Sequence, residues 1–216
     1  EEDICEADVV IYVISRISGE GKDRRRVKGD YYLSEREEED LRYLAEMNKP
    51  VILILNAGGP VELTDILEQT DNIKGILNIS QLGQEGGDAL ADVLLGKEVP
   101  GGKLTTTWAR RYEDYPASEE YGYLNGNLEK EKYKEGIYVG YRYFDSFDKK
   151  VMFPFGFGLS YTMFEMKCCS INMEESKIRA EVQVTNTGNE YAGKEVVQIY
   201  VTLPQTELEK EYKRLA

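Results

Sequence analysis

The chain has 216 residues and not one of them is histidine. A Ser-His-Asp triad, a His-ligated zinc, a haem held by a proximal histidine and an imidazole general base are therefore excluded within it. Acid–base chemistry falls to carboxylates, lysine, tyrosine or cysteine. Cysteine is nearly as scarce. Cys5, Cys168 and Cys169 are an odd set, and the last two are neighbours on a strand-like stretch, where alternation sends their side chains to opposite faces. No disulfide framework follows; reduced thiols in a reducing compartment do, and neither a metal nor a cofactor is expected. Positive charge is in deficit, with 27 Lys and Arg against 40 Asp and Glu and a net charge of −13. That argues against nucleic acid as a partner, since such binding needs a basic stripe to displace counterions. No apolar run approaches the ~18 residues of a membrane span, so no membrane partner is expected. The opening Glu1-Glu2-Asp3 resembles neither a signal nor a transit peptide. A cytoplasmic location is the expectation, with secretion left open if a native N-terminus lies upstream.

What is present suffices for a packed core, with 41% apolar residues. Val9-Val10-Ile11-Tyr12-Val13-Ile14 reads as a strand buried on both faces: apolar, rich in β-branched residues and too short for a typical helix. A polar, glycine-rich stretch runs from Ser15 to Asp30. Ser34-Glu35-Arg36-Glu37 has capping-box spacing and opens a helix with Leu41, Leu44 and Ala45 on one side, closed by Pro50. Val51–Leu55 is a second buried strand. Pro60 stands where a helix can begin, with Val61, Leu63, Ile66 and Leu67 as its apolar side. Ile73–Ile79 is a third strand, and Gly83-Gln84-Glu85-Gly86-Gly87 precedes a helix striped by Ala89, Leu90, Val93 and Leu94. This alternation predicts an α/β fold, a mostly parallel sheet with helices on both faces. Working loops in such sheets lie beyond the carboxyl ends of the strands: here Ser15–Asp30, Asn56–Pro60 and Ser80–Gly87.

After Gly96 the pattern changes. Tyr112–Asp148 reads as irregular and tyrosine-dense, and Phe153–Gly158 as a fixed turn. From Phe164 the signal is all-β: Ile178–Val184 alternates strictly, Asn186–Asn189 is a turn and Val196–Val201 is a further strand. A boundary near Ser160–Phe164 gives a first domain of 1–160 and a second unit of 161–216. The second unit offers three strands where a sheet sandwich usually takes about seven.

Four stretches, in order, resemble glycoside hydrolase family 3, in particular its bacterial β-glucosidases. They are Ser18-Gly19-Glu20-Gly21-Lys22-Asp23-Arg24; Gly83–Gly87 with Ala91–Gly96 and Pro100–Leu104; Tyr133–Asp145; and Phe153–Thr162. Each alone is weak, but four in order and at compatible spacing are specific. The chain departs from the family at Leu82, commonly proline, at Asn78-Ile79-Ser80 and at Leu104–Thr107. The resemblance implies a multidomain enzyme: a barrel bearing an aspartate nucleophile, an α/β sandwich bearing the acid/base, and a fibronectin type III-like domain. It identifies 1–160 as most of the sandwich, lacking its first elements, and 161–216 as a partial fibronectin type III-like domain. The barrel is absent.

Glu20 fits the acid role. Two carboxylates are needed for glycoside hydrolysis, and the acid must stay protonated near neutral pH. Gly19 and Gly21 flank it and let backbone and substrate approach closely. By spacing alone Glu20 reads as a solvated loop glutamate; by the resemblance it is the catalytic acid/base. Asp23 and Arg24 either brace the loop or contact an aglycone, with bracing the better reading. Arg16 and Lys28 supply charge near the site or sit exposed. Tyr31 and Tyr32 line a sugar subsite or pack against the sandwich. Gly83–Gly87 lacks the ending of a phosphate loop and reads as a tight turn, with Gln84 or Glu85 at most at the rim. The tyrosines of 133–143 read as an ordered wrapping segment rather than a sugar platform. Glu35–Asp40 and Glu207–Glu211 read as solvated faces.

The expectation is thus part of a retaining β-glucosidase supplying the general acid/base, with a β-glucoside or short oligosaccharide as substrate and the missing barrel as partner. A β-xylosidase, or a noncatalytic carbohydrate-binding module, is the alternative. Apolar edges left by a partial sheet predict a homodimer or another packing partner.

Overall fold

The computed structural model describes residues 2–19, 21, 23–121, 129–130, 132–175, 177–204 and 206–216. Two compact units interleave along the chain: Glu1–Gly86 with Trp108–Gly136 and Lys149–Met152, and Gly87–Thr107 with Ile137–Asp148 and Phe153–Ala216.

The first unit begins with a short helix α1 (Glu2–Glu6) and is centred on three parallel strands, β1 (Val10–Ser15), β2 (Val51–Asn56) and β3 (Ile73–Asn78), in the order β1-β2-β3. Val51, Leu53, Ile54 and Leu55 of β2 are buried, because the central strand has a paired neighbour on each side. Burying each such side chain is worth about 1.5–3 kcal/mol. The first strand differs from expectation. Ile14 is fully buried, but Ile11 and Val13 are 50% and 52% exposed. The apolar run predicts a strand covered twice, yet β1 is an edge strand whose Ile11/Val13 side no described element covers. On the opposite side, Tyr12 donates to Asp40 of α2 (Glu35–Glu46) at 3.1 Å, which places that helix over the Tyr12/Ile14 side.

Helix α2 starts as its sequence dictates. The Ser34 hydroxyl accepts from the Glu37 amide at 3.2 Å, and the Glu37 carboxylate accepts from the Ser34 amide at 2.8 Å. It buries Leu41 and Leu44. The next helix, α3 (Thr64–Gln69), begins four residues beyond Pro60. Val61 and Leu63 are buried before it starts, and Thr64 anchors the start by donating to the Arg110 carbonyl at 2.5 Å. Short strands β4 (Trp108–Ala109) and β5 (Val151–Phe153) pair beside these elements.

The second unit carries helix α4 (Gly86–Leu94) from Gly87 onward, and helix α5 (Tyr141–Ser146), which the irregular tyrosine-rich reading missed. No residue of α4 is buried, despite its apolar stripe. The tyrosines form a packed cluster. Tyr141 stacks on Phe155 at 5.0 Å between centroids, Tyr138 and Tyr143 each lie against Phe147, and Phe144 is buried. Leu104 pairs with the Phe153–Gly158 turn in both directions, donating to Phe157 O at 2.8 Å and accepting from Gly156 N at 2.7 Å. Gly158 approaches so closely that a Cβ there would lie 2.3 Å from the Gly102 carbonyl oxygen.

An antiparallel hairpin of β6 (Phe164–Glu174) and β7 (Lys177–Asn186) follows. Its register shifts between Cys168 and Ser170, so Cys169 is an extra residue in a bulge and the expected alternation of the two cysteines is broken. Met166, Cys168, Ile171 and Met173 then oppose Val184, Val182, Ala180 and Ile178 on one face. Glu165, Lys167, Ser170, Asn172 and Glu174 oppose polar partners on the other. The expected strand over 196–201 is paired only at β8 (Tyr200–Val201), against β9 (Arg214–Leu215). Glu211 is buried beside Arg214, not solvated. The α/β fold with a parallel sheet followed by antiparallel strands is the one the strand–helix alternation predicts.

Candidate functional site

Loops from all three parallel strands meet at the carboxyl end of the sheet. The ladder continues past the strands: Arg16 N donates to Asn56 O at 2.9 Å, and Ile79 N to Leu55 O at 3.0 Å. Gly58, after β2, is the meeting point. A Cβ there would lie 2.9 Å from Gln81 Oε1 and 3.0 Å from Ser18 Cβ, so a larger residue would make Gln81 swing away and Ser18 give by a few tenths of an ångström. The Ser18 hydroxyl oxygen is enclosed, without a hydrogen-bond partner among the described residues.

The long loop after β1 stands on two arginine clamps. Arg16, expected near the site or exposed, is buried and uses all five of its N–H bonds. Nε donates to Asp30 O at 2.7 Å, and Nη1 to Ser15 O at 2.9 Å and Glu37 Oε1 at 2.8 Å. Nη2 donates to Tyr32 O at 3.3 Å and Glu37 Oε2 at 2.7 Å. Glu37 is consequently no solvated member of the 35–40 run. Burial pushes its carboxyl up, but Arg16 and the Ser34 amide pull harder, holding it below the ordinary glutamate value.

Arg24 forms the second clamp. Nε donates to Asp30 Oδ1 at 2.8 Å, Nη1 to Pro60 O at 2.6 Å and Nη2 to Asp30 O at 2.5 Å. Asp30 Oδ2 accepts from the Arg25 amide at 2.7 Å. Burial opposes ionisation of Asp30, but these donors prevail and its pKa is lowered. Arg24 therefore does not pair with Asp23, whose Oδ1 accepts instead from the Tyr121 hydroxyl at 3.1 Å. Lys28 is exposed and lies near Glu35 and Glu38.

Tyr31 is buried. Its ring meets Tyr32 and Tyr112 edge-on at 5.4 and 5.1 Å, and its carbonyl accepts from Glu62 N at 3.0 Å. Burial raises its hydroxyl pKa further above the ordinary tyrosine value. Arg26 lies over the Tyr112 ring, donates to the Tyr32 hydroxyl at 3.0 Å and pairs with Glu113. Glu62 accepts from Tyr112 N at 2.9 Å and pairs with Arg111; burial dominates and raises its pKa. Gln84 and Glu85 are exposed in the turn after β3. Glu20 and Lys22 lie outside the described residues.

The structure thus braces the loop that carries the candidate acid at Arg16, at Asp23–Arg24 and through Tyr31. Asp30, Gly58, Glu62 and Tyr121 were not singled out in the sequence. Glycine pairs after a strand, as at Gly58-Gly59, were the one signal available.

Comparison with known proteins places the chain in a family. Residues 1–141 match the model of the glycosyl hydrolase family 3 C-terminal domain. Beta-glucosidase A of Butyrivibrio fibrisolvens is 39% identical over 249 residues, covering 97% of this chain and 29% of that protein. A beta-glucosidase of Ruminococcus albus is 37% identical, covering 94% of this chain and 21% of that protein. Among solved structures, beta-glucosidase 3B from Thermotoga neapolitana in complex with glucose superposes with a TM-score of 0.92 at 42% identity, covering 99% of this chain and 30% of that one. The chain thus spans less than a third of the length of these relatives. With the family model matching most of its length and relatives at 37–39% identity covering more than nine-tenths of it, the chain belongs to glycosyl hydrolase family 3 and carries that family's C-terminal domain.

Proposed function

We propose that this chain supplies the general acid/base, Glu20, of a retaining β-glucosidase whose nucleophile resides in a barrel domain outside the sequence. The observation that supports this is the seat of the 18–24 loop. It leaves the carboxyl end of a parallel strand, touches Gly58 at Ser18, and is pinned at Arg16 and Arg24, with Glu20 between the pins in sequence. Relatives at 37–39% identity are named beta-glucosidases. In the proposed reaction Glu20 protonates the departing glycosidic oxygen, then takes a proton from the water that releases the sugar from the nucleophile. The role requires a carboxyl that stays protonated near neutral pH until the glycosidic bond breaks.

The isolated chain is expected to show little or no hydrolysis. In an enzyme containing this chain and the remaining length of its relatives, Glu20→Gln is expected to abolish turnover of poorly activated glucosides. Azide added to Glu20→Gly is expected to restore turnover of an activated glucoside with a glycosyl azide as product. Unchanged turnover of poorly activated glucosides by Glu20→Gln refutes the assignment. The reading also takes 1–160 as the sandwich and 161–216 as the start of a fibronectin type III-like domain. It places the protein in a reducing, cytoplasmic compartment, with a homodimer or the barrel covering the open side of β1.

A further inference from the structure

Between the two arginine clamps, the loop is held at Ser18, enclosed beside Gly58, and at Gly19, which stands in an isolated β-bridge. Ile17 is 98% exposed, and a Cβ at Gly19 or at Gly21, whose φ is +77°, would meet nothing within 4 Å. On its far limb, a side chain from outside the loop reaches Asp23. Tyr121, 98 positions away in sequence, donates its hydroxyl to Asp23 Oδ1 at 3.1 Å. Tyr121 sits on a braced base. Its amide donates to Ala117 O at 3.0 Å, Ser118 is buried, and Ser118 N donates to Tyr115 O at 3.1 Å. Tyr115 in turn accepts from Ala109 N at 3.1 Å. The Tyr121 ring is half exposed, so packing alone does not hold it there. Burial, and then the Asp23 carboxylate, raise its pKa, so the phenol keeps its donor proton through neutral pH.

Asp23 stands three residues after Glu20, a span of at most about 10 Å of extended chain. Fixing Asp23 from a rigid base therefore limits where residue 20 can reach. We propose that Tyr121 is a positioning residue for the acid/base loop, its hydroxyl holding Asp23 against the 115–121 turn and thereby setting the reach of Glu20. The proposal rests on the reading of Glu20 as acid/base.

The test has two arms. In the chain itself, Tyr121→Phe keeps the ring and removes the donor. Amide hydrogen exchange within 18–23 is expected to quicken about tenfold, while amides held by the Asp30 clamps keep their rates. In the longer enzyme, the loss should depend on the leaving group, because an activated phenolate departs without proton donation. Tyr121→Phe is expected to lower kcat/KM about tenfold for an alkyl glucoside and less than about twofold for a dinitrophenyl glucoside. Asp23→Ala should do the same, and the double variant should lose no more than either single one. Equal losses on both substrates, no loss on either, or unchanged exchange within 18–23 overturn the proposal. Glu20→Gln run beside them separates the two ideas. If it lacks the leaving-group dependence, the acid/base reading falls and the proposal with it. If it shows the dependence and Tyr121→Phe does not, only the tether falls.

Discussion

Replacing Arg16 by lysine keeps the charge and removes the geometry. The guanidinium uses five N–H bonds on five acceptors: two Glu37 oxygens and the carbonyls of Ser15, Asp30 and Tyr32. An ammonium has three donors on a point, so at least two of the five bonds are lost and the two-pronged grip on Glu37 is gone, although Asp30 O, Tyr32 O and Glu37 Oε2 keep donors from Arg24, Gly29 and Ser34. The pair is well shielded, with side-chain exposures of 5% and 15%. A hydrogen bond to a charged group is worth about 1.5–3 kcal/mol and at least two are lost, so Arg16→Lys is expected to cost about 3 kcal/mol, roughly a hundredfold in the folding constant. Arg16→Met, which strands Glu37 without any counter-charge, is expected to cost about 4 kcal/mol. Urea unfolding at neutral pH reads this directly: with a slope near 2 kcal/mol/M, the lysine variant's midpoint falls by about 1.5 M. Acid gives the second check. The folded-state pKa of Glu37 is lowered, so its contribution is present above the unfolded value near 4.3 and is lost as pH falls through the folded one. The gap between wild type and variant should therefore narrow as the solution is acidified below that value. A lysine variant within about 0.5 kcal/mol of wild type at neutral pH, or a gap that acid leaves unchanged, refutes the clamp.

Gly156→Ala meets a backbone obstacle, a φ of +78°, and a Cβ that would push aside the flexible amide end of Gln198. It should cost about 1–2 kcal/mol by thermal unfolding, nearly all of it from the backbone, so adding Gln198→Ala should recover little. Ser34→Ala removes the acceptor that opens α2 and is expected to cost about 1 kcal/mol in the same measurement. Glu62 has a raised folded-state pKa, dominated by burial, so it withdraws stability as pH rises from its unfolded value near 4.3 through the folded one. Glu62→Gln should flatten that part of the stability profile; an unaltered slope would show that Glu62 is not its source. Leu53→Ala in the central strand should cost about 2–5 kcal/mol in urea unfolding.

Local chemistry was legible where the cause is local. The capping box at Ser34 and Glu37, the β-branched run of β2 and the alternation of β7 each formed where the residues required. The four motifs reached further, since order and spacing carry information that no single segment has. What failed to show depended on partners remote in sequence. Arg16 looks like any polar residue after a strand, and only the fold brings Glu37 and three carbonyls around it. Glu37 hid within an acidic run because burial of one member leaves no mark on composition. An apolar run such as β1 records that its residues avoid water, not whether this chain covers both sides. Helix α5 is a single short turn of aromatics whose stability comes from the rings around it. The Tyr121–Asp23 bond joins residues with no pattern linking them, so no reading of either segment finds it.

The bulge at Cys169 also bears on how this hairpin tolerates changes of length. Eleven residues of β6 run against ten of β7, and the surplus is confined to one position. From Glu165 to Glu174, on either side of it, oily residues stay with oily partners and charged ones with charged or polar partners, although the count along β6 slips by one. A regular strand given an extra residue turns everything beyond it inside out. Here the insertion is absorbed where it stands, and deleting Cys169 would leave both flanking sets of pairs with their present partners. The hairpin can change length by one residue at that point without changing which residues share a face.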